Sequence, residues 1–206
     1  MVPVMGFEWA YVNGRAPWDI GRPQPVLVRL AEQGLIAGTV IDVGCGTGEN
    51  VLHLASIGLE AAGIDLAPTA IARARAKATA RGLRATFEVA DALDLGTQGR
   101  TYDVAVDFGL FHVFTDTERV MYERSLRTGL RPGARYFFMC FSDREPGEMG
   151  PRRIGEAEIR ATFTNGWRVD SIVAEHFAIR DGSGFSSPPR AWLASLTRLR
   201  DGEAAR

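Results

Sequence analysis

The chain has few cysteines and histidines, and it lacks long apolar runs. Its 206 residues include two cysteines and three histidines. Cys45 lies among glycines and Cys140 lies in an apolar run, which predicts packing residues in a reducing compartment rather than a disulfide pair. No segment approaches the roughly 20 apolar residues of a membrane helix, and no basic segment followed by an apolar one opens the chain. We therefore expect a cytoplasmic protein with no membrane partner and no metal site.

Neither sign of charge is in excess. The 24 basic and 25 acidic residues give a formal net charge of −1. This balance argues against nucleic acid as a partner. A helix is predicted over residues 68–81, and we interpret its basic row (Arg73, Arg75, Lys77 and Arg81) as a solvated face. The length suits one α/β domain over residues 1–206, with residues 1–24 as an N-terminal arm.

Hydrophobic periodicity and turn residues place the remaining elements. A turn is predicted at residues 130–133. The long connection over residues 142–155 is expected to bind and select a ligand. The connection over residues 177–189 is expected to form either an exposed hairpin or another wall of the ligand pocket. Helices are predicted from about Pro25 and over residues 49–57, 68–81, 116–128 and 156–163, and strands over residues 39–43, 59–64, 87–90, 102–106, 135–141, 167–174 and 190–199.

The chain is organised around residues 39–50, where a β-branched strand breaks into alternating glycines and then enters a helix. Gly44, Gly46 and Gly48 allow close approach of the backbone to a ligand. Amide groups of such a loop, with the following helix N-terminus, are typical of a nucleotide-type site. A dinucleotide fingerprint would have its third glycine where this chain has Glu49, which argues against an NAD-dependent oxidoreductase.

Four predicted strands of this region end in or precede an acid: Asp42, Asp65, Asp91 and Asp107. The carboxyl ends of parallel strands meet at one edge of a sheet, so these acids are expected to lie near one another. Several carboxylates disfavour a pyrophosphate. They favour a ligand that combines a sulfonium, an ammonium and a ribose diol.

The run Asp42-Val43-Gly44-Cys45-Gly46-Thr47-Gly48 resembles motif I of the class I S-adenosylmethionine-dependent methyltransferases. With Asp65, Asp91 and the following strand, the resemblance covers residues 35 to 140. It implies a Rossmann-like, doubly wound α/β fold with a seven-stranded sheet whose last strand is antiparallel. It also implies S-adenosyl-L-methionine as cofactor.

The resemblance assigns roles at the strand ends. Asp65 is expected to accept hydrogen bonds from the ribose hydroxyls. Asp91 is expected to accept from the adenine amino group, ahead of Asp94, while the Ala92 amide donates to the ring. The full expected cofactor set is Trp18, Asp42, Gly44, Cys45, Gly46, Asp65, Leu66, Asp91, Ala92 and Asp107.

Trp18 enters that set through a second resemblance. The segment Trp18-Asp19-Ile20-Gly21-Arg22-Pro23-Gln24-Pro25 resembles the arm of the thiopurine and halide methyltransferase branch, which closes over the cofactor. Gln24 stands where threonine is frequent in that branch. An indole face beside a sulfonium also makes a favourable cation–π contact of about 0.5–2 kcal/mol. The alternative is that Trp18, like Trp9, seals the edge of the core.

His112 is the candidate catalytic residue. It lies in residues 107–114 among Phe108, Phe111 and Phe114, and there it could take a proton from a phenol or thiol. Equally, it could be a hydrogen-bonded histidine that supports its loop. The segment differs from the Asp-Pro-Pro-Tyr type that methylates nucleobase amines, which also argues against a nucleic acid acceptor.

We therefore expect methyl transfer from S-adenosylmethionine to a small, aromatic or apolar acceptor, with oxygen or sulfur as the acceptor atom. The sulfonium is already activated, so rate would come from holding the acceptor in line in a desolvated pocket. The alternatives are a non-catalytic cofactor-binding protein, an NAD-dependent oxidoreductase and an RNA methyltransferase; the last lacks a basic surface. The acceptor and the oligomeric state do not follow from the sequence.

Overall fold

The computed structural model describes residues 4–200 and 202–203. Strands and helices alternate through the first two thirds of the chain, as the apolar patterning predicts. The helices are α1 Val4–Val12, α2 Pro25–Glu32, α3 Glu49–Ser56, α4 Pro68–Ala80, α5 Asp116–Gly129 and α6 Glu156–Thr162, and the strands are β1 Thr39–Val43, β2 Glu60–Asp65, β3 Thr86–Val89, β4 Tyr102–Phe108, β5 Leu130–Phe141, β6 Trp167–His176 and β7 Arg190–Arg198.

The seven strands form one sheet in the order β3-β2-β1-β4-β5-β7-β6. Strands β1 to β5 pair in parallel, whereas β7 runs antiparallel between β5 and β6. The order reverses direction at β1, so the ends of β1 and β4 border a crevice at the carboxyl edge, where α/β proteins bind ligands. The predicted Rossmann-like fold with a last antiparallel strand is confirmed.

The sheet is buried on both faces because successive side chains of a strand point in opposite directions. Ile41 packs with Tyr122 and Leu126 of α5 on one face. Its neighbour Val40 packs with Leu52 of α3 on the other face, where α2 and α4 also lie. Two helical layers thus enclose the sheet, which is the doubly wound arrangement.

The expectation at the start of β5 differs from the structure. Residues 130–133, predicted as a turn, belong to β5, and the pairing with β4 shifts register between Tyr102 and Val104. Gly133, at φ 87°, takes up this irregularity without leaving the strand. Within the N-terminal arm, Val4–Val12 forms a helix. None of the helices within the described residues is both long and apolar enough to span a bilayer.

Candidate functional site

The glycine loop, residues 44–48, begins directly after β1. The Gly44 and Cys45 amides both donate to the Ile64 carbonyl of β2, at 2.9 and 2.8 Å, and this anchors the loop to the carboxyl edge. Gly46 and Gly48 have φ values of 53° and 83°, which other residues rarely adopt. The loop therefore presents backbone rather than side chains to the crevice.

Cys45 contributes packing rather than a reactive group. A Cβ built on Gly63 of β2 would lie 2.7 Å from Cys45 Sγ, so the thiol is seated directly against the sheet. Burial raises the pKa of the Cys45 thiol well above its ordinary value, and the thiolate is disfavoured. Any ligand contact by Cys45 would come from its backbone.

Asp42 is a buried carboxyl group with an unused acceptor. It lies on β1 two residues before the glycine loop and is 1% exposed. Its Oδ2 makes no hydrogen bond with any described residue. Burial raises the pKa of Asp42 to about 8, while the Asn50 side chain acts in the opposite direction. Such a group favours a cation or hydrogen-bond donor that arrives from outside the chain.

Asp65 lies at the end of β2 and holds the loop in place. Its Oδ2 accepts from the Gly46 amide at 2.8 Å, and its Oδ1 accepts from the Ala67 amide at 2.9 Å. Burial raises the pKa of Asp65, against the lowering effect of the two amides. A carboxylate has about four lone-pair sites, so two remain for further donors.

The third acidic position lies beyond β3. Asp91 is exposed and its Oδ1 accepts from the Leu93 amide at 2.9 Å. Ala92 is buried, and its carbonyl accepts from Ser125 Oγ at 2.6 Å. Leu66, beside Asp65, is 38% exposed. β2 and β3 pair at Asp65 and Val89, so these residues follow one another along the carboxyl edge.

The arm folds over the glycine loop. Trp18 Nε1 donates to the Tyr11 hydroxyl at 2.8 Å, and a Cβ built on Gly46 would lie 2.5 Å from that hydroxyl oxygen. Thr47 Oγ1 donates to Asp19 at 2.7 Å. The crevice between arm and loop, called the cleft below, is lined by Tyr11, Trp18, Asp19, Ile20, Arg22, Gln24, residues 44–50 and Phe108.

The basic row of α4 is exposed as expected at Arg73, Arg75 and Arg81, whereas Lys77 is partly buried, and three of the four cations also have partners. Lys77 Nζ donates to Thr47 Oγ1 and to Glu49, both at 2.8 Å. Arg81 forms a two-bond ion pair with the same Glu49. Arg75 donates to the Phe87 carbonyl. Lys77 and Arg81 fix the loop and the start of α3, whereas Arg75 fastens α4 to β3, and Glu49 has a role that a third glycine could not fill.

Asp107 supports the segment after β4. Its carboxylate is fully buried and accepts four hydrogen bonds, from the Leu110 and Phe111 amides and from the Tyr122 and Tyr136 hydroxyls, at 2.7 to 3.1 Å. Burial raises the pKa of Asp107 to about 6. Because four donors fill the acceptor sites of a carboxylate, the geometry favours a positioning role over the cofactor contact expected for Asp107.

His112 is 7% exposed and its imidazole is held by the backbone. The Phe141 amide donates to Nδ1 at 3.0 Å. Burial, reinforced by the positive charge of Arg153, lowers the pKa of His112 to about 3. The ring is therefore neutral near pH 7, with its proton on Nε2. This favours the supporting role over the proton-accepting role, since neither nitrogen is a free acceptor.

His112 belongs to an aromatic cluster, the aromatic wall, formed with Phe141, Phe177 and Phe185. Ring centroids lie 5.2 Å apart for His112 and Phe141, 5.9 Å for His112 and Phe177, and 5.7 Å for Phe141 and Phe185. The wall joins the end of β5 to the 177–189 connection. The segment from Phe108 to His112 connects it with the cleft, because Phe108 lines the cleft and Leu110 lies against Gly44.

The arm and the 177–189 connection are hydrogen-bonded to each other. The Gln24 side chain, 7% exposed, donates to the Ala178 carbonyl at 3.0 Å and accepts from the Ala178 amide at 3.2 Å. The Arg180 amide donates to the Pro17 carbonyl at 2.9 Å, and its guanidinium donates to the Gly14 carbonyl at 3.0 Å. The two sides of the candidate site thus share one covering layer.

The structure brings Trp18 and the glycine loop together at the cleft, with Asp42 and Asp65 beneath them. It places Asp91, Ala92 and Leu66 farther along the same edge. Sequence reasoning missed Tyr11, Asn50 and Arg153. Tyr11 lies on an arm without periodicity and Arg153 on a long connection, so no local pattern shows where either docks. Asn50 lies at the start of α3, and only the structure brings its side chain to Asp42. Among the described residues, no group of three or more His, Cys, Asp or Glu is arranged to hold a metal ion.

Comparison with known proteins agrees with this geometry. A family model described as a methyltransferase domain matches residues 40–133, which span β1 to the start of β5. The 2-heptyl-1-hydroxyquinolin-4(1H)-one methyltransferase of Mycobacteroides abscessus is 40% identical over 173 residues, covering 82% of this chain and 76% of the relative. The probable thiol methyltransferase 2 of Arabidopsis thaliana is 26% identical, covering 93% and 86%.

A solved structure is also similar. It was reported with the conversion of a disulfide bond into a thioacetal group during echinomycin biosynthesis, and it is 37% identical to this chain. The superposition covers 95% of this chain and 91% of that one, with a TM-score of 0.84. The likeness therefore includes the arm and the strands beyond residue 133, which the family model does not reach.

Proposed function

The chain belongs to the class I S-adenosylmethionine-dependent methyltransferases, and from that premise we propose that it methylates a small aromatic acceptor on oxygen or sulfur. The observation that carries the proposal is the segment from Phe108 to His112. One end borders the cleft beside the glycine loop, and the other end enters the aromatic wall. A donor bound in the cleft and an acceptor bound at the aromatic wall would both border that segment, so that the acceptor atom could meet the methyl group beside it.

The residues present fit the cofactor. Asp42 Oδ2 is a buried acceptor without a partner among the described residues, and Asp65 keeps two lone-pair sites beyond its amide bonds. The glycine loop has no room for Cβ atoms where Tyr11 and Leu110 approach it. We propose that these groups, with Trp18 and the Asp91-Ala92 pair, bind S-adenosylmethionine, which supplies an activated methyl group on a sulfonium.

Because the methyl group is already activated, the protein has to orient the acceptor and exclude water from the site. Phe141, Phe177 and Phe185 offer ring faces and edges for an apolar, planar acceptor. Trp18 and Tyr11 close the other side of the site through the arm, and Thr47 and Asp19 hold the arm to the loop. Positioning of this kind is the main source of rate when the leaving group is already activated. We propose that the arm acts as the lid of a single domain.

The test is methyl transfer by the purified protein from labelled S-adenosylmethionine to a panel of hydroxyarenes and aromatic thiols. Formation of methylated product in proportion to enzyme, inhibited by S-adenosylhomocysteine, is the expected result. Tight binding of S-adenosylhomocysteine with no transfer to any acceptor would instead support a non-catalytic binding protein. Absence of binding by a folded protein would refute the cofactor assignment.

A sulfur acceptor is the second candidate. It is favoured by the names of two similar proteins, a probable thiol methyltransferase and an enzyme structure connected with thioacetal formation from a disulfide. A hydroxyquinolinone methyltransferase favours the aromatic oxygen instead, at higher identity. Competition between a hydroxyarene and the matching thiol in one reaction decides between them by the ratio of products.

Location and partners complete the proposal. Both cysteines are unpaired and buried, which supports a reducing compartment, and we infer the cytoplasm. The near-neutral net charge and the aromatic wall support a small-molecule acceptor over nucleic acid. Cell fractionation and a transfer assay with RNA or DNA test these two statements.

A further inference from the structure

The hydrogen-bonding state of His112 is fixed by its surroundings. Since Nδ1 accepts from the Phe141 amide, the neutral ring carries its proton on Nε2. Nε2 makes no hydrogen bond within residues 4–200 and 202–203. The ring therefore has one unused group, and that group is a donor.

The Nε2 edge of the ring lies beside Gly109 and Phe177. A Cβ built on Gly109 would lie 3.8 Å from Nε2 and 3.8 Å from Phe177 Cε1. These are ordinary contact distances, so the missing side chain leaves a small gap between the end of β4, the imidazole and the wall. Nε2 is not among the fully buried polar atoms without a partner. An acceptor oxygen that reaches this gap from the aromatic side would meet the N–H of Nε2.

Arg153 adds a positive charge to the same region. Its guanidinium lies 5.3 Å from the centre of the Phe141 ring. It donates to the carbonyls of Glu145, Pro146, Gly147, Met149 and Pro151. It makes no ion pair with a carboxylate in the described part of the chain, unlike its neighbour Arg152, which pairs with Asp116 and Glu158. Its charge is therefore not neutralised locally, and it is the charged side chain that acts on the imidazole.

The carboxylates of the neighbouring elements are engaged elsewhere. Asp143 accepts from the Trp192 indole at 3.1 Å, and Glu145 accepts from the Arg190 amide at 2.7 Å. Asp107 is saturated by four donors in the core. The surroundings of the gap thus hold a donor and a cation, and neither nitrogen of His112 is a free proton acceptor.

We propose that this site takes planar aromatic oxyanions, and that His112 binds the anionic oxygen through Nε2–H instead of removing a proton from it. The inference rests on the proposed methyl transfer and narrows its substrate class to acidic hydroxyarenes and hydroxy-heteroarenes. The acceptor loses its proton to water before it binds.

The group transfer balances without a base. A lone pair of the acceptor oxygen forms the new O–CH₃ bond as the S–CH₃ bond breaks, and the electron pair of that bond returns to sulfur. The oxyanion and the sulfonium, of charge −1 and +1 by definition, become a neutral ether and a neutral thioether. A neutral hydroxyarene would instead leave a protonated oxygen beside an imidazole that cannot accept the proton, because Nδ1 is bonded to the Phe141 amide and Nε2 already carries a hydrogen.

The experiment compares phenol, 4-cyanophenol and 4-nitrophenol, which share a ring and increase in acidity. The expected result is that kcat/KM rises with pH to an inflection at the pKa of each acceptor, so that the inflection moves along the series. An inflection that stays at one pH for all three acceptors would overturn the proposal, because it would identify a titrating group of the enzyme. This comparison needs only the wild-type protein.

Two matched variants add a second measurement. His112→Asn keeps an acceptor for the Phe141 amide but removes Nε2–H. It is expected to lower kcat/KM about tenfold for every acceptor without moving the inflection. His112→Gln, whose amide reaches the Nε2 position, should recover part of this loss. A pH dependence that disappears in His112→Asn would show a base and overturn the proposal.

The charge is tested with Arg153→Gln and with Arg152→Gln as its control. The first is expected to raise KM for 4-nitrophenol severalfold, and the second to leave it unchanged. Equal effects of the two variants would overturn the role of Arg153. Binding of S-adenosylhomocysteine confirms that each variant is folded. Failure of the proposed methyl transfer gives a distinguishable result: no acceptor would be methylated at any pH. That result would overturn both proposals.

Discussion

Replacement of Asp42 by asparagine should remove a large pH dependence of stability. The folded carboxyl group has a pKa of about 8, against 3.8 for the ordinary group. Between these values the folded chain holds a proton that the unfolded chain has released. The contribution of Asp42 to the free energy of unfolding is therefore fully present below pH 3.8 and is lost as the pH rises toward 8.

The magnitude follows from one proton. Each pH unit in this interval lowers the free energy of unfolding by about 1.36 kcal/mol, so the change from pH 5 to pH 7 is about 2.7 kcal/mol. For a chain of this size that corresponds to roughly 5–10 °C in melting temperature. Asparagine has nearly the same shape and does not titrate. Relative to Asp42→Asn, the wild type should lose this amount between the two pH values.

The assay is urea unfolding of the ligand-free wild type and variant at several pH values, followed by circular dichroism. The quantity compared is the difference in free energy of unfolding between the two proteins, in which the titration of groups that do not interact with Asp42 cancels; Asp107 and Asp65 are the carboxyl groups coupled to it. Parallel stability profiles would refute the reasoning, because they would mean that Asp42 is ionised in the folded protein and that Oδ2 has a partner. The reasoning would also be refuted if the wild type became more stable than the variant as the pH rises.

Three further outcomes are expected. Asp65→Ala should weaken binding of S-adenosylhomocysteine about tenfold by calorimetry, while Asp94→Ala, outside the cofactor set, leaves it unchanged; equal affinities would remove Asp65 from the site. Gly48→Ala should destabilise the folded chain by about 2–4 kcal/mol, since the new Cβ would lie 2.7 Å from Phe87. Gly58→Ala is the control: Gly58 also has a positive φ but has open space around it, so this variant measures the backbone strain alone, about 1–2 kcal/mol. The pKa of His112, about 3 against 6.5, means that stability present above pH 6.5 is lost as the pH falls toward 3. Between pH 7 and pH 5, the free energy of unfolding of His112→Asn should therefore fall by about 2 kcal/mol less than that of the wild type. Urea unfolding at the two pH values measures this, and an equal fall in both proteins would contradict the prediction.

The fold followed from local patterns because the relevant signals are short. The β-branched run before Gly44 and the acids at the ends of β1, β2 and β4 can be recognised within a few residues, and a parallel sheet brings such strand ends to one edge. The irregular start of β5 was missed because Pro132 and Gly133 normally mark a turn. Here pairing with β4 and β7 overrides that local preference.

The roles of the candidate site residues could be predicted only in part, for a different reason. A sequence shows that His112 lies among phenylalanines, but it does not show which backbone amide reaches its ring. The bond from Phe141, 29 residues away along the chain, decides whether the imidazole can accept a proton. In the same way, Lys77 looked solvated until the structure placed Thr47 and Glu49 beside its amine.

The pairing of Gln24 with Ala178 has a kinetic consequence. Together with the hydrogen bonds from Arg180, it joins the arm, which lies over the glycine loop, to the 177–189 connection, which carries part of the aromatic wall. If the N-terminal arm moves away from the glycine loop, the 177–189 connection must either move with it or lose these hydrogen bonds. Departure of both products would then depend on one opening event, and turnover could be limited by that event instead of by the transfer itself.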